Sequence, residues 1–185
     1  TEHGQTVKAA ALLHDLGHSP FSHMMERAFP ATAKHEKKTV ELITDAASVI
    51  PSILSDNGLD PIKVRDIINK ASVHRLLVDI VSSQLDADRM DYILRDALAT
   101  GVKYGAFDAE WLLNSLCIGA EPGTAGQGKE TEWRLCLEEK RGLHSAEQLI
   151  IARMHMSLQV YFHQTTRGWE AHLLCLFKHA ANLAR

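Results

Sequence analysis

The stretch Leu12-Leu13-His14-Asp15-Leu16-Gly17-His18 constrains this chain most, because it sets a His-Asp pair and a further histidine where an apolar helix stops. Residues 7–15 are Ala/Leu-rich with apolar residues on most sides, the mark of a buried helix, and Gly17 and Pro20 cut it off. On a continuous helix neighbouring side chains point about 100° apart. At a helix end the backbone can turn an imidazole nitrogen and a carboxylate oxygen toward one divalent cation. His18 follows His14 by four residues and can lie on the same side, close enough to give a proton to a group bound there. His23, Glu26, His35 and Glu36 add titratable groups at a density unusual for structural helices. Far along the chain, Gln84-Leu85-Asp86-Ala87-Asp88-Arg89-Met90-Asp91-Tyr92 supplies a second block of carboxylates. Two remote blocks rich in hard ligands point to one assembled site.

The rest of the chain reads as helices separated by clear breaks. Residues 21–29 form a short helix ended by Pro30, and residues 35–50 carry Val40, Ile43, Ala47 and Ile50 at helical spacing. Pro51, Asn57-Gly58 and Asp60-Pro61 punctuate the next turns, before helical pieces at 62–70, 76–83 and 86–98. A glycine- and aromatic-containing loop covers 101–107, and Asp108 is the expected N-cap of a helix through Leu116. Residues 119–139 break the pattern. Pro122-Gly123, Gly126 and Gly128 make a turn-rich loop, and Thr131-Glu132-Trp133-Arg134-Leu135-Cys136-Leu137 alternates like a strand. A long helix is then expected from Ser145 through about Arg167, and a last one over 169–183. The fold class is therefore all-α with a small β-hairpin insertion around 118–138.

A length of 185 residues with 45% hydrophobic content suits one domain with a sizeable core. A net charge of −3 gives no global basic field, so a small anionic ligand fits better than nucleic acid, which only a local basic pocket could hold. Cys117, Cys136 and Cys175 are few, widely spaced and form no C-x-x-C pair, so neither a disulfide framework nor a thiolate zinc site is implied, which points to a reducing cytoplasm. No window reaches the roughly 20 apolar residues of a membrane span, and residues 1–8 lack the features of a secretory signal. The chain opens close before the His-Asp pair and closes at 182–185 without a stop signal, so the single domain over 1–185 is expected to be a fragment of something longer.

The segments L-L-H-D-L-G-H-S-P-F-S-H, K-H-E, Q-L-D-A-D-R-M-D-Y-I-L-R-D, G-V-K-Y-G-A-F-D and A-R-x-x-M-x-x-x-V-Y-F-H occur in one order across residues 9–167. In them the chain resembles the HD-domain superfamily of metal-dependent phosphohydrolases, and specifically its deoxynucleoside triphosphate triphosphohydrolase branch, which includes the animal SAM-and-HD-domain enzyme. The resemblance implies an HD-domain helical bundle in which His14, Asp15 and Asp88 hold a divalent metal. A mixed His/carboxylate set accepts Mn²⁺, Mg²⁺, Fe²⁺ or Zn²⁺. His18 and His35 match the family's catalytic histidines, with Glu26 where animal members carry an orienting aspartate. Arg89, Tyr92 and Asp96, at intervals of three and four, and Arg153 and Tyr161, eight apart, match substrate-contacting positions. His163-Gln164 falls where relatives often place a basic residue, and the family's histidine upstream of the HD pair has no counterpart, His3 lying too close to it.

The implied activity is hydrolysis of a deoxynucleoside triphosphate to a deoxynucleoside and inorganic triphosphate. The resemblance also implies a homo-oligomer, with a nucleotide activator at its interfaces in some relatives. Two alternatives stand beside it. One is another HD phosphohydrolase, acting on a nucleoside monophosphate or a cyclic nucleotide. The other is a noncatalytic module that binds nucleotides or a nucleic-acid end, which the missing histidine would suit.

Overall fold

The computed structural model describes residues 1–21, 23–29, 34–121 and 132–183. The described part is helical with one two-stranded hairpin, the fold class that the patterning predicts, and holds ten α-helices: α1 (Glu2–Leu13), α2 (His23–Ala28), α3 (His35–Thr44), α4 (Ile50–Asp56), α5 (Pro61–Ile68), α6 (Arg75–Val81), α7 (Ala87–Thr100), α8 (Ala109–Asn114), β1 (Leu116–Ala120), β2 (Trp133–Leu137), α9 (Glu139–Met156) and α10 (Gln164–Leu183). A π-helical segment, Ser157–Tyr161, follows α9 directly.

Two hydrophobic clusters organise the helices. Ala10 of α1, Ile43 of α3, Leu54 of α4, Val64 and Ile67 of α5 and Val81 of α6 form one. Met90, Ile93 and Ala97 of α7, Leu112 of α8, and Ala146, Leu149, Ala152 and Met156 of α9 form the other. The spacing of three and four along α7 puts its apolar residues on that second core and leaves Asp88 and Tyr92 on an adjoining face. Asp86 caps this helix, its carboxylate accepting from the Arg89 and Ser83 backbone N–H groups at 2.8 and 3.0 Å. Helices α6 and α7 pack together where the clusters meet.

Several boundaries differ from the sequence expectations, each for a local reason. Helix α1 buries one stripe only, with Leu12 left 83% exposed, because its packing partners α5 and α6 cover a single side. The helix expected over 35–50 divides: Asp45 is extended and its side chain accepts from Ala47 N–H, while Pro51 starts α4. Asp108 is the N-cap expected, accepting from Trp111 N–H at 2.9 Å, but α8 stops at Asn114 and Leu116 enters β1. The hairpin is antiparallel, with Leu116 opposite Leu137 and Ala120 opposite Trp133. Thr131 and the turn at 122–130 lie outside the described residues. Helix α9 begins at Glu139, not Ser145, since β2 runs straight into it and Gly142 sits against Leu137 and Ser115, where a Cβ would lie 2.5 Å from the leucine. The long helix also ends early. The π-helical segment and the break at Phe162 and His163 replace the continuation to Arg167.

One buried ion pair ties the hairpin to the helices. Asp79 of α6, 6% exposed, accepts from Arg134 Nε at 2.7 Å, Arg134 Nη2 at 3.0 Å and Leu135 N–H at 3.1 Å. Burial pushes the Asp79 carboxyl up, but the Arg134 fork and the Leu135 N–H outweigh it and hold the group below its ordinary 3.8. Arg134→Ala strands that carboxylate and should cost about 2–4 kcal/mol at pH 7, less than for a fully enclosed pair because the arginine is partly solvated. The native pairing stabilises above pH 3.8 and is lost as acid titrates Asp79 below it. Denaturant unfolding should therefore show the gap between wild type and Arg134→Ala narrowing on acidification below pH 3.8.

Candidate metal centre and its cavity

The HD motif occupies the turn after α1. Leu16 N–H bonds to Leu13 O and His18 N–H to Asp15 O, both at 3.1 Å, so the chain tightens where the sequence predicts that the helix stops. The turn is then latched to α3. Thr39, fully buried, donates its hydroxyl hydrogen to His14 O at 3.1 Å and accepts from Gly17 N–H at 2.8 Å. Gly17 is required by that approach: a Cβ there would stand 2.2 Å from His35 O and 2.6 Å from Thr39 N. Thr39 is the positioning residue that sequence reasoning missed. Its only trace is a hydroxyl on the apolar side of α3.

With the turn latched, three donors converge. His14 Nε2 lies 3.4 Å from Asp15 Oδ1 and 3.6 Å from Asp88 Oδ1 of α7. The opposite ring nitrogen, Nδ1, donates to Ala11 O at 2.8 Å. A carbonyl can only accept, so the proton belongs on Nδ1 and the Nε2 lone pair faces the carboxylates. A lone pair and two carboxylates facing one another repel unless a cation lies between them. One donor atom from each residue lies within 4.8 Å of the others, and ligand bonds of about 2.0–2.2 Å bring neighbouring donors to roughly such spacings. The set therefore fits a divalent metal. Burial pushes the Asp88 carboxyl above its ordinary value, with Asp15 and Asp86 adding to the effect and His14 and Arg89 opposing it.

The expected catalytic residues adjoin this cluster. His18 Nε2 is 3.5 Å from Asp15 Oδ1, and the His18 ring stacks on His35 at 3.9 Å between centroids. Burial and the neighbouring His35 hold the His18 imidazole below its ordinary value. Glu26 Oε1 accepts from both the His35 backbone N–H and its Nδ1–H at 2.8 Å, which clamps that ring. Those same bonds bring the Glu26 carboxyl down to about 2. His23, His18 and His35 form a second group of ring nitrogens within 4.8 Å of one another. The near-parallel stacking of two of the rings sets their in-plane lone pairs side by side instead of converging.

A cavity of about 350 Å³ opens beside the centre, walled by His14 and Asp15, by His35 and Glu36 at the start of α3, by Lys70, and by Asp88, Arg89, Tyr92 and Arg153. Seven of the eleven site residues expected from sequence thus share one cavity. His18 and Glu26 stand against it through Asp15 and His35. Asp96 and Tyr161 do not line it: the Tyr161 hydroxyl donates to Asp96 Oδ2 at 2.7 Å, and the Tyr161 ring lies 6.2 Å from that of Tyr92. Burial and then the Asp96 bond raise the Tyr161 hydroxyl above its ordinary value, so it stays a donor. Arg89 donates to Asp86 Oδ2 at 3.0 Å, which spends part of its guanidinium within the protein. Lys70, a site candidate that sequence reasoning passed over, ends a helix in the left-handed region with φ 59°. His3 is exposed, edge-on to His74.

Comparison with known proteins places this geometry. The HD-domain family profile matches residues 2–96. A Bacillus subtilis protein, the uncharacterized YwfO, is 38% identical over 175 residues, which are 95% of this chain and 37% of that protein. The crystal structure of a phosphohydrolase from Bacteroides thetaiotaomicron superposes with a TM-score of 0.80 and 31% identity, over 99% of this chain and 40% of the other. The mouse deoxynucleoside triphosphate triphosphohydrolase SAMHD1 is 29% identical over 128 residues, 52% of this chain and 20% of that protein. The chain thus spans about two fifths of the length of YwfO and of the Bacteroides enzyme. Both the profile match and the superposition cover the turn that carries His14 and Asp15 and the helix that carries Asp88, and on these grounds the chain belongs to the HD-domain family of metal-dependent phosphohydrolases.

Proposed function

We propose that the chain hydrolyses a deoxynucleoside triphosphate to a deoxynucleoside and inorganic triphosphate. The observation that carries this reading is Arg153. It is half-buried, it lines the cavity of the metal centre, and no carboxylate pairs with it among the described residues. A partly desolvated guanidinium without a counter-charge, facing a metal site, suits a phosphate chain. The similarity to mouse SAMHD1 supports the choice of substrate class.

His14, Asp15 and Asp88 would hold the divalent ion, whether Mn²⁺, Mg²⁺, Fe²⁺ or Zn²⁺, which when bound polarises a phosphate oxygen and acidifies water. The bond from water oxygen to the α-phosphorus forms as that water gives up a proton to solvent, and the bond from phosphorus to the 5′-oxygen breaks. His18 delivers a proton to the leaving 5′-oxygen. His35, clamped by Glu26, keeps the His18 ring in place by stacking. Arg153 and the unspent donors of Arg89 would take the triphosphate charge, while Tyr92, backed by Tyr161 and Asp96, would pack against the sugar and select deoxyribose through shape.

The wider setting follows the same reading: a homo-oligomer, a nucleotide activator and a cytoplasmic location. No helix among the described residues is long and apolar enough to cross a membrane. Trp169, Leu176 and Leu183, exposed at seven-residue spacing along α10, support association between copies.

The test is an assay of the four deoxynucleoside triphosphates with Mn²⁺ or Mg²⁺ that resolves triphosphate from orthophosphate. Triphosphate release is expected, and His18→Ala should lower turnover by about 10²–10⁴-fold with its metal content intact. Orthophosphate as the product would assign the site to a different phosphohydrolase chemistry. Nucleotide binding with no product would favour a regulatory module.

A further inference from the structure

We infer that Lys70 is a phosphate-contacting residue of this cavity, a role that rests on the phosphate-binding reading proposed above. Its backbone makes the case first. Lys70 follows α5 with φ 59°, in the left-handed region where glycine or asparagine normally ends a helix. A lysine there carries a steric cost that glycine would remove, and such costs persist where the side chain has work to do.

The surroundings hold the strained residue in place from several sides. Lys70 N–H bonds to Ile67 O at 3.1 Å, and the N–H groups of Ala71 and Ser72 both bond to Asp66 O. Arg75 donates from Nη1 to Lys70 O at 2.8 Å, and from Nε to Glu132 Oε1 at 3.1 Å, beside the hairpin. The turn is thus fastened to an element remote in sequence, and the lysine it presents lines the cavity of the metal centre. No carboxylate pairs with the Lys70 ammonium among the described residues. Together with Arg153 it gives the cavity two cations from different walls that form no ion pair among the described residues, and a chain of several phosphates satisfies both better than a single one.

The experiment is calorimetric titration of inorganic tripolyphosphate into metal-free protein, for wild type, Lys70→Met and Lys70→Gly, with thermal unfolding of each. Both variants should weaken binding about tenfold, the order expected for one lost charge-assisted contact. Lys70→Gly should also raise the unfolding midpoint, by releasing the left-handed strain, whereas Lys70→Met should not. Unchanged Kd in both variants, or no binding by wild type, overturns the inference. A weakened Kd in protein that turns over no deoxynucleoside triphosphate supports Lys70 as an anion contact and fails only the substrate reading. Deoxynucleotide turnover with KM untouched in Lys70→Met fails only Lys70.

Discussion

Asp88→Asn should release the metal and lower turnover by about a thousandfold or more, while the protein itself becomes more stable when metal-free. The two effects share one cause. Asp88 and Asp15 bring two carboxylate oxygens to the lone-pair side of His14, at 3.6 and 3.4 Å, and without a cation that arrangement is repulsive. Burial already drives Asp88 toward its neutral form, and Asp15 adds to the effect. The amide keeps the shape of the carboxylate and removes its charge, so the metal-free unfolding midpoint should rise by a few degrees. Metal analysis of the purified variant and its melting curve in chelator check both halves. Full metal occupancy in Asp88→Asn would remove Asp88 from the ligand set, and a lower metal-free midpoint would show that the carboxylates are accommodated without a cation.

Gly17→Ala should be nearly as severe, through packing and not charge. The added Cβ would meet two backbone atoms of α3, His35 O at 2.2 Å and Thr39 N at 2.6 Å, which cannot rotate out of the way. The turn must back away from α3, and in doing so breaks the bonds from Thr39 to Gly17 N–H and His14 O. The expected cost is about 3 kcal/mol or more, from overpacking plus two lost buried hydrogen bonds. His14 and His18 lie on one side of that contact and His35 on the other, so the same displacement parts the stacked His18 and His35 rings and should lower turnover in whatever folded protein remains. Denaturant unfolding gives the first number and turnover by the folded fraction the second. A variant of near-native stability would mean that α3 can slide without cost.

Legibility in the sequence followed how local each feature is. The positions of α1, α5, α6 and α7 were readable because apolar stretches are separated by clear breaks such as Gly17, Pro20 and Asp60-Pro61, whereas the capping roles of Asp60 and Asp86 emerged only in the structure. The hairpin was readable from alternation beside a glycine-rich turn. Boundaries set by neighbours were not. Helix α9 begins early because Gly142 can meet Leu137 and Ser115, and it gives way to a π-helical segment, which shifts Tyr161 off the straight α-helical phase expected from its spacing to Arg153.

The candidate site divides in the same way. Motif chemistry pointed to His14, Asp15 and His18 and to a remote block of carboxylates, because each residue type carries its chemistry wherever it sits, and the family resemblance singled out Asp88, Glu26 and His35. Their arrangement was legible in neither. That Nε2 of His14 is the nitrogen facing Asp88 depends on Ala11 O, that His35 stacks on His18 depends on Glu26, and that Lys70 takes a left-handed backbone depends in part on Arg75. Asp96 and Tyr161, grouped by the family resemblance with the cavity-lining residues, turn to each other instead. Short-range periodicity and side-chain chemistry are written residue by residue, whereas tautomer, ring orientation and backbone strain are set by atoms that packing brings together from distant parts of the chain.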